Sequence, residues 1–168
     1  MYYSIHHTYK KRLMSITTNL RRLQNEIQQL QTQSVEYKTM FEIKMVEDDM
    51  FHWDVTLHGP EESFYEKYSF KLDFTLPNNY PFAPPRVKFI TPIEHLNINK
   101  DGDICLDILK PEGWAASQNI KTVLISIRLL MSCPNSEDPF NSNLAELYRT
   151  NEKEYVRKIK KCCEQYAK

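Results

Sequence analysis

Phe41-Glu42-Ile43-Lys44-Met45, Trp53-Asp54-Val55-Thr56-Leu57 and Phe70-Lys71-Leu72-Asp73-Phe74-Thr75-Leu76 obey one rule: every second residue is apolar. Side chains of an extended chain point alternately to opposite faces, so each stretch predicts a strand with one face on a core and the other toward water. Breaks at 47–49, at Gly59-Pro60 and at 77–79 separate the strands by the short intervals of an antiparallel meander. A fourth short strand fits residues 86–90, after the double proline Pro84-Pro85.

The period changes on either side. Residues 1–14 read as a flexible polar extension. From residue 15 a helix is expected, with Ser15, Thr17 and Thr18 as candidate N-caps. Leu20, Leu23, Ile27 and Leu30 form its apolar stripe, with Arg21, Arg22, Gln24 and Gln28 off it. Helical spacing returns at Val123, Ile127, Leu130 and Met131, then at Leu144, Leu147 and Tyr148, then at Tyr155, Ile159, Cys162, Cys163 and Tyr166. Asn151 with Glu154 resembles a capping box opening the last helix. Between 91 and 118 no period is visible, and a long irregular segment inside a compact domain usually carries function. The order predicts an α+β fold: an N-terminal helix, a four-stranded antiparallel meander, a long loop and C-terminal helices. A length of 168 residues with 41% hydrophobic content suits a single domain, taken as residues 15–168.

Net charge is zero but unevenly spread: +4 over residues 1–38, −7 over the middle and +3 over 151–168. That excludes a uniformly basic nucleic-acid binder. It leaves a basic first segment that either meets an acidic protein partner or is simply a solvated helix face. The start MYYSIHHTYKK lacks the apolar run of a signal peptide, and no stretch has the length and apolarity of a membrane span. The cytosol or nucleus is the expected compartment, with free thiols on Cys105, Cys133, Cys162 and Cys163.

Cys105 lies in the irregular segment, after the Asp101-Gly102 turn and between Asp103 and Asp107. Asn97, Asn99, Asp101 and Gly102 imitate the start of a calcium loop, but the twelfth place holds Ile108 instead of a bidentate glutamate. Cys162 and Cys163 are adjacent, without the spacing of a zinc site, so no metal is expected. His95 is a candidate base for a cysteine hydrolase, although flanking aspartates raise a thiol's pKa where a protease nucleophile wants it lowered. The remaining reading of the bare residues is a structural cysteine, which is the one preferred for Cys133, Cys162 and Cys163.

An ordered set of motifs narrows the choice. Phe51-His52-Trp53 precedes Gly59-Pro60. Then come Tyr80-Pro81-Phe82-Ala83-Pro84-Pro85, Val87-x-Phe89, His95-Leu96-Asn97, Cys105-Leu106-Asp107-Ile108-Leu109, Trp114 and Glu137-Asp138-Pro139. In this order and spacing, from about residue 15 to 167, the chain resembles the catalytic core of the ubiquitin-conjugating enzymes. The resemblance implies that Cys105 takes ubiquitin from an activating enzyme as a thioester and passes it to a substrate lysine, usually with a ligase. Asn97 is implied to stabilise the oxyanion or the loop, Asp107 and Asp138 to position the lysine, and His95 to hold the loop. Phe82 falls at the ligase contact, and Lys10, Lys11, Arg12, Arg21 and Arg22 fall where relatives meet the activating enzyme. A monomer without cofactor is implied, ATP being used by the activating enzyme. The alternatives are a carrier of another ubiquitin-like modifier and a weakly active ubiquitin-binding scaffold.

Four departures from the family pattern carry expectations. Leu96 replaces a proline, which frees φ and adds an N–H needing a partner. Glu94 stands where many relatives have tyrosine beside the lysine channel. Ala115-Ala116-Ser117 follows Trp114 in place of a proline-containing run. The 110–113 segment is one residue longer than in the shortest relatives.

Overall fold

The computed structural model describes residues 19–30, 32 and 35–167. The expected extension at 1–14, the three candidate N-caps, and Lys10, Lys11 and Arg12 therefore lie outside the described residues. Residues 19–30 form helix α1, and Val35–Lys38 forms the short helix α2. Four strands follow: β1 (Phe41–Val46), β2 (Asp49–His58), β3 (Ser69–Thr75) and β4 (Arg86–Phe89). They pair antiparallel in sequence order, as the alternation predicts. The register matches apolar residues across the whole sheet. Met45 faces Trp53, which faces Phe74, which faces Val87; Ile43 faces Val55, which faces Leu72, which faces Phe89. A one-residue slip would turn every one of these to solvent, so burial fixes the register.

The buried face of the sheet joins the three C-terminal helices in one core. Helix α3 (Ile120–Ser132) contributes Ile120, Val123, Leu124, Ile127, Leu130 and Met131. Helix α4 (Ser142–Thr150) adds Leu144 and Ala145, and α5 (Glu152–Tyr166) adds Tyr155, Ile159 and Cys163. Each large side chain fully removed from water here contributes about 2–3 kcal/mol. Asn119 caps α3 by accepting from Thr122 N at 2.9 Å. Asn151 caps α5 by accepting from Glu154 N, at 3.2 Å. The other half of the capping box is absent: Glu154 binds Arg157, and Asn151 N instead donates to Leu147 O. Of the three cysteines read as structural, Cys163 is buried and Cys162 half-buried. Cys133 is exposed because it lies one residue past the end of α3, off its apolar face.

Helix α1 holds an arrangement that its apolar stripe does not announce. Glu26 is only 9% exposed. Its carboxylate accepts from Arg22 Nε (2.8 Å), Tyr80 Oη (2.7 Å) and Ile120 N (3.1 Å). One carboxylate thus ties α1 to the tyrosine before Pro81 and to the open first turn of α3, whose N–H groups lack intrahelical acceptors. Arg22 completes the tie by donating to Ala116 O (2.5 Å) and Gln118 O (2.6 Å). Glu26→Ala would leave the Tyr80 hydroxyl and the Ile120 amide buried without an acceptor. Urea unfolding should register a loss of roughly 2–4 kcal/mol.

Candidate active site

The irregular segment is pinned to the sheet before it reaches Cys105. Gly102 has φ +81, and a Cβ there would stand 2.0 Å from Phe89 O, so the tight turn expected at Asp101-Gly102 admits glycine alone. Phe89 N donates to Gly102 O (2.9 Å), and Lys88 pairs with Asp103 at 2.7 Å. The Asn99 carboxamide oxygen accepts from Asp101 N and Asp103 N, closing the loop on itself. The residues that imitate a calcium loop are thus engaged in shaping a turn.

His95, Leu96 and Asn97 form the inner wall of this segment, and all three are buried. His95 Nδ1 accepts from Asn97 N (3.0 Å), so the hydrogen sits on Nε2, which donates to Leu130 O (3.0 Å). Burial pushes the imidazole pKa down to about 4. His95 is therefore a neutral brace between loop and α3, with both nitrogens engaged. Asn97 is 0% exposed. Its Oδ1 accepts from Asn135 N (2.9 Å), and Nδ2 donates to Asn135 O (2.7 Å) and Asp138 O (3.2 Å). Its own carbonyl accepts from Cys105 N (2.8 Å). One residue thereby fixes the backbone at Cys105 and at 135–138 together. Of the two roles read for Asn97, this geometry displays loop stabilisation, because both amide hydrogens already have acceptors.

The consequence is a meeting of residues far apart in sequence. Cys105 Sγ lies 3.5 Å from Asp138 Oδ2, with the thiol donating. Partial burial pushes the thiol pKa up, and the Asp138 bond and the Asp138 and Asp107 charges push it further, while Lys110 pulls it down. The flanking acids were expected to raise this pKa. Asp107 does so, while Asp103 is held by Lys88 and Asn99. The larger acidic influence comes from Asp138, 33 residues downstream. Asp107 is exposed and paired with Lys110 Nζ at 2.9 Å.

Phe82 is 66% exposed, so it is a surface aromatic and not a core residue. It lies beside Pro81, whose carbonyl accepts from Trp114 Nε1 at 2.7 Å. Arg21 is exposed. Arg22 is engaged inside the molecule, where Glu26, Ala116 and Gln118 bind its guanidinium. Glu26 and Lys110 were missed by sequence reasoning. A glutamate at α1's stripe edge gives no sign of burial, whereas Lys110, three residues after Asp107, carried a readable i,i+3 signal.

Comparison with known proteins agrees with this geometry. Residues 22–163 match the family described as ubiquitin-conjugating enzyme. This chain belongs to the ubiquitin-conjugating enzyme family. It is also 48% identical over 152 residues to a probable ubiquitin-conjugating enzyme of Acanthamoeba polyphaga mimivirus, covering 90% of this chain and 96% of that one.

The departures from the family pattern each have a definite place in the structure. Leu96 is fully buried and its carbonyl accepts from Asn141 N at 3.1 Å, whereas its added N–H has no hydrogen-bond acceptor among the described residues. Glu94 lies in a cleft with Asn99, Phe140 and Asn143, and its charge acts on Cys162. The run after Trp114 supplies, at Ala116, one of the two carbonyls that Arg22 binds; the other is that of Gln118, just beyond it. The longer 110–113 segment closes as a turn in which Gly113 N donates to Lys110 O, so tightly that a Cβ on Gly113 would stand 2.2 Å from Asp107 O.

His95 sets a pH dependence. Its folded pKa of about 4 lies below the ordinary value near 6.5, so between those values the unfolded chain takes up a proton that the folded one refuses. Its contribution is complete above pH 6.5 and disappears as pH falls toward 4. Denaturant titrations should register a loss on the order of 3 kcal/mol across that window. In His95→Gln the loss between pH 6.5 and 4 should be much smaller, from a lower starting stability.

Proposed function

We propose that this ubiquitin-conjugating enzyme accepts ubiquitin as a thioester on Cys105 and transfers it to lysine, with a ligase bringing the substrate. The observation that carries the reading is the Asp138 carboxylate 3.5 Å from the Cys105 sulfur, on a loop fixed by the side chain of Asn97. In loading, Sγ attacks the carbonyl of the acyl group held on the activating enzyme's cysteine. The new C–S bond forms, the old one breaks, and the departing thiolate takes a proton. The raised thiol pKa keeps the free cysteine mostly protonated and makes it a poorer leaving group, which protects the charged form from casual hydrolysis.

Charging removes the S–H hydrogen, so Asp138 loses its partner and can accept from an arriving amine. That matters because lysine, with a pKa near 10.4, is almost wholly protonated at neutral pH. Asp138 would attract the ammonium and help it give up one proton, so that the neutral nitrogen attacks the thioester carbonyl. The isopeptide bond forms, the C–S bond breaks, and the second proton lost from nitrogen protonates the departing Cys105 thiolate. A thiol acceptor ionises much closer to neutrality and needs this help less. Asp107, already paired with Lys110, plays the smaller part. Phe82 offers an exposed aromatic contact for a ligase, and the basic residues from Lys10 to Arg21 offer charge to the activating enzyme. The chain itself would need no cofactor and would work in the cytosol or nucleus.

The test is loading with ubiquitin, ATP and activating enzyme, followed by a single-round chase. Cys105→Ser should give a reductant-resistant oxyester and Cys105→Ala nothing. Combined Cys133→Ser, Cys162→Ser and Cys163→Ala should still load. Asp138→Ala should slow discharge to free lysine by about tenfold or more and leave discharge to free cysteine nearly unchanged. A thioester surviving in Cys105→Ala would overturn the assignment. Loading with another modifier but never with ubiquitin would leave the mechanism and change the cargo.

A further inference from the structure

Strand β1 forms one edge of the sheet, with no strand beyond it among the described residues. Its bonding shows which of its backbone groups stay open. Phe41 lies opposite Leu57, so Met40 lies opposite His58, and His58 N donates to Met40 O at 2.9 Å. Bonded and non-bonded positions alternate along an antiparallel pair. The backbones of Glu42 and Lys44 therefore bond to Thr56 and Asp54, while the N–H and C=O groups of Phe41, Ile43 and Met45 point away from β2. No backbone partner meets these outward groups among the described residues. Beyond Met45 the register shifts, and Glu47 and Asp48 turn the chain at φ 51 and 60, so the open edge ends there.

The side chains along this edge are complementary to themselves. An antiparallel copy of β1, related by a two-fold axis at Ile43, puts Ile43 opposite Ile43, Phe41 opposite Met45 and Glu42 opposite Lys44. The outward positions 41, 43 and 45 become the bonded positions of the new pair, so each open N–H meets an open C=O. Glu42 and Lys44 are both exposed on the outer face, and each meets its opposite in the other copy. The Glu42 side chain is 73% exposed, with His58 of its own chain 3.8 Å away, and Lys44 has no ion pair among the described residues. A charged edge ordinarily repels a second strand. Here an acid and a base two residues apart cancel that repulsion for one partner, another β1 in this register. On the inner face, Ile43 and Met45 are half-buried and line an apolar cleft of about 340 Å³ with Ile27, Leu30 and Tyr37, so pairing also covers apolar surface.

We propose that β1 is a self-association surface: two copies of this chain join edge to edge, antiparallel and centred on Ile43, and their two four-stranded sheets become one. The same patch serves both copies, so the contact closes at a dimer and leaves no β1 edge for a third copy. The Cys105 segment rests on β4, at the opposite edge of the sheet, through the Phe89–Gly102 bond and the Lys88–Asp103 pair. Both cysteines therefore stand at the far ends of the joined sheet, clear of the interface. The association is independent of the thioester reading, and it departs from the monomer that the family resemblance implies.

The experiment follows sedimentation of the full chain over a range of concentrations under reducing conditions, with hydrogen exchange read residue by residue. The expected result is a reversible dimer in which the Phe41, Ile43 and Met45 amides gain protection as concentration rises, while those of Glu42 and Lys44 are protected throughout. Glu42→Lys and Lys44→Glu should each weaken the dimer about tenfold or more, because each turns two attractive pairs into two repulsive ones. The double exchange, Glu42→Lys with Lys44→Glu, should restore it, since every pair re-forms with its signs reversed. An unchanged urea midpoint at low concentration reports intact folding in each variant. A monomer at every concentration, a dimer indifferent to the single reversals, or a loss that the double exchange does not rescue would overturn the proposal. Outer-edge amides protected equally at all concentrations would show that the chain covers its own edge. Protection that appears only with an added extended peptide would assign the edge to another partner, and either result overturns self-pairing.

Discussion

The site depends on the carboxamide of Asn97. It is fully buried, and with its own backbone it joins two stretches of chain about thirty residues apart: Oδ1 and Nδ2 hold Asn135 and Asp138, while the backbone carbonyl of Asn97 holds the Cys105 amide. A buried amide with one unmet hydrogen bond would cost about 1–3 kcal/mol, so the loop carrying Asp138 has little freedom to drift from the cysteine. The surrounding contacts serve this bridge. His95 braces Asn97 N from inside, Leu96 anchors the turn in the core, and Asn141 closes over it.

The electrostatics follow from this placement. A half-buried thiol facing two carboxylates and one ammonium is less acidic than a free cysteine. That is the reverse of the low-pKa environment a hydrolytic nucleophile wants, and it suits a group that must hold an acyl cargo until an acceptor arrives. Because Asp138 binds the thiol only while sulfur carries hydrogen, one carboxylate can serve the empty enzyme as a hydrogen-bond acceptor and the charged enzyme as a receptor for amine. Asp107 differs in environment, being exposed and occupied by Lys110.

The sheet was legible in the sequence because burial on one face imposes a period of two, and Trp53, Val55, Leu57, Phe70, Leu72 and Phe74 keep that period without interruption. The cysteine and the asparagine were legible through ordered motifs. The resemblance brought Asp138 to the same site as Cys105, but their direct hydrogen bond was not legible, since neither local spacing nor propensity reports a contact across 33 residues. Nor was the inward turn of Arg22 and Glu26. Both are good helix-surface residues, and their commitment depends on carbonyls and an amide brought in by residues 80 and 116–120. The capture of Asp103 by Lys88 was not legible either, because it depends on the pairing of loop and β4.

The central claim is that Asn97 acts by placing Asp138, and the most direct measurement is a double-mutant cycle on single-round discharge to lysine. Wild type, Asn97→Ala, Asp138→Ala and the double variant are charged first, so that thioester formation reports on folding, and then chased with free lysine. If Asn97 works through Asp138, the double variant discharges no more slowly than Asn97→Ala alone, and the two losses are strongly non-additive. If the two losses multiply, Asn97 acts on the reaction independently, as a donor to the oxyanion would, and the claim that it works by placing Asp138 is wrong.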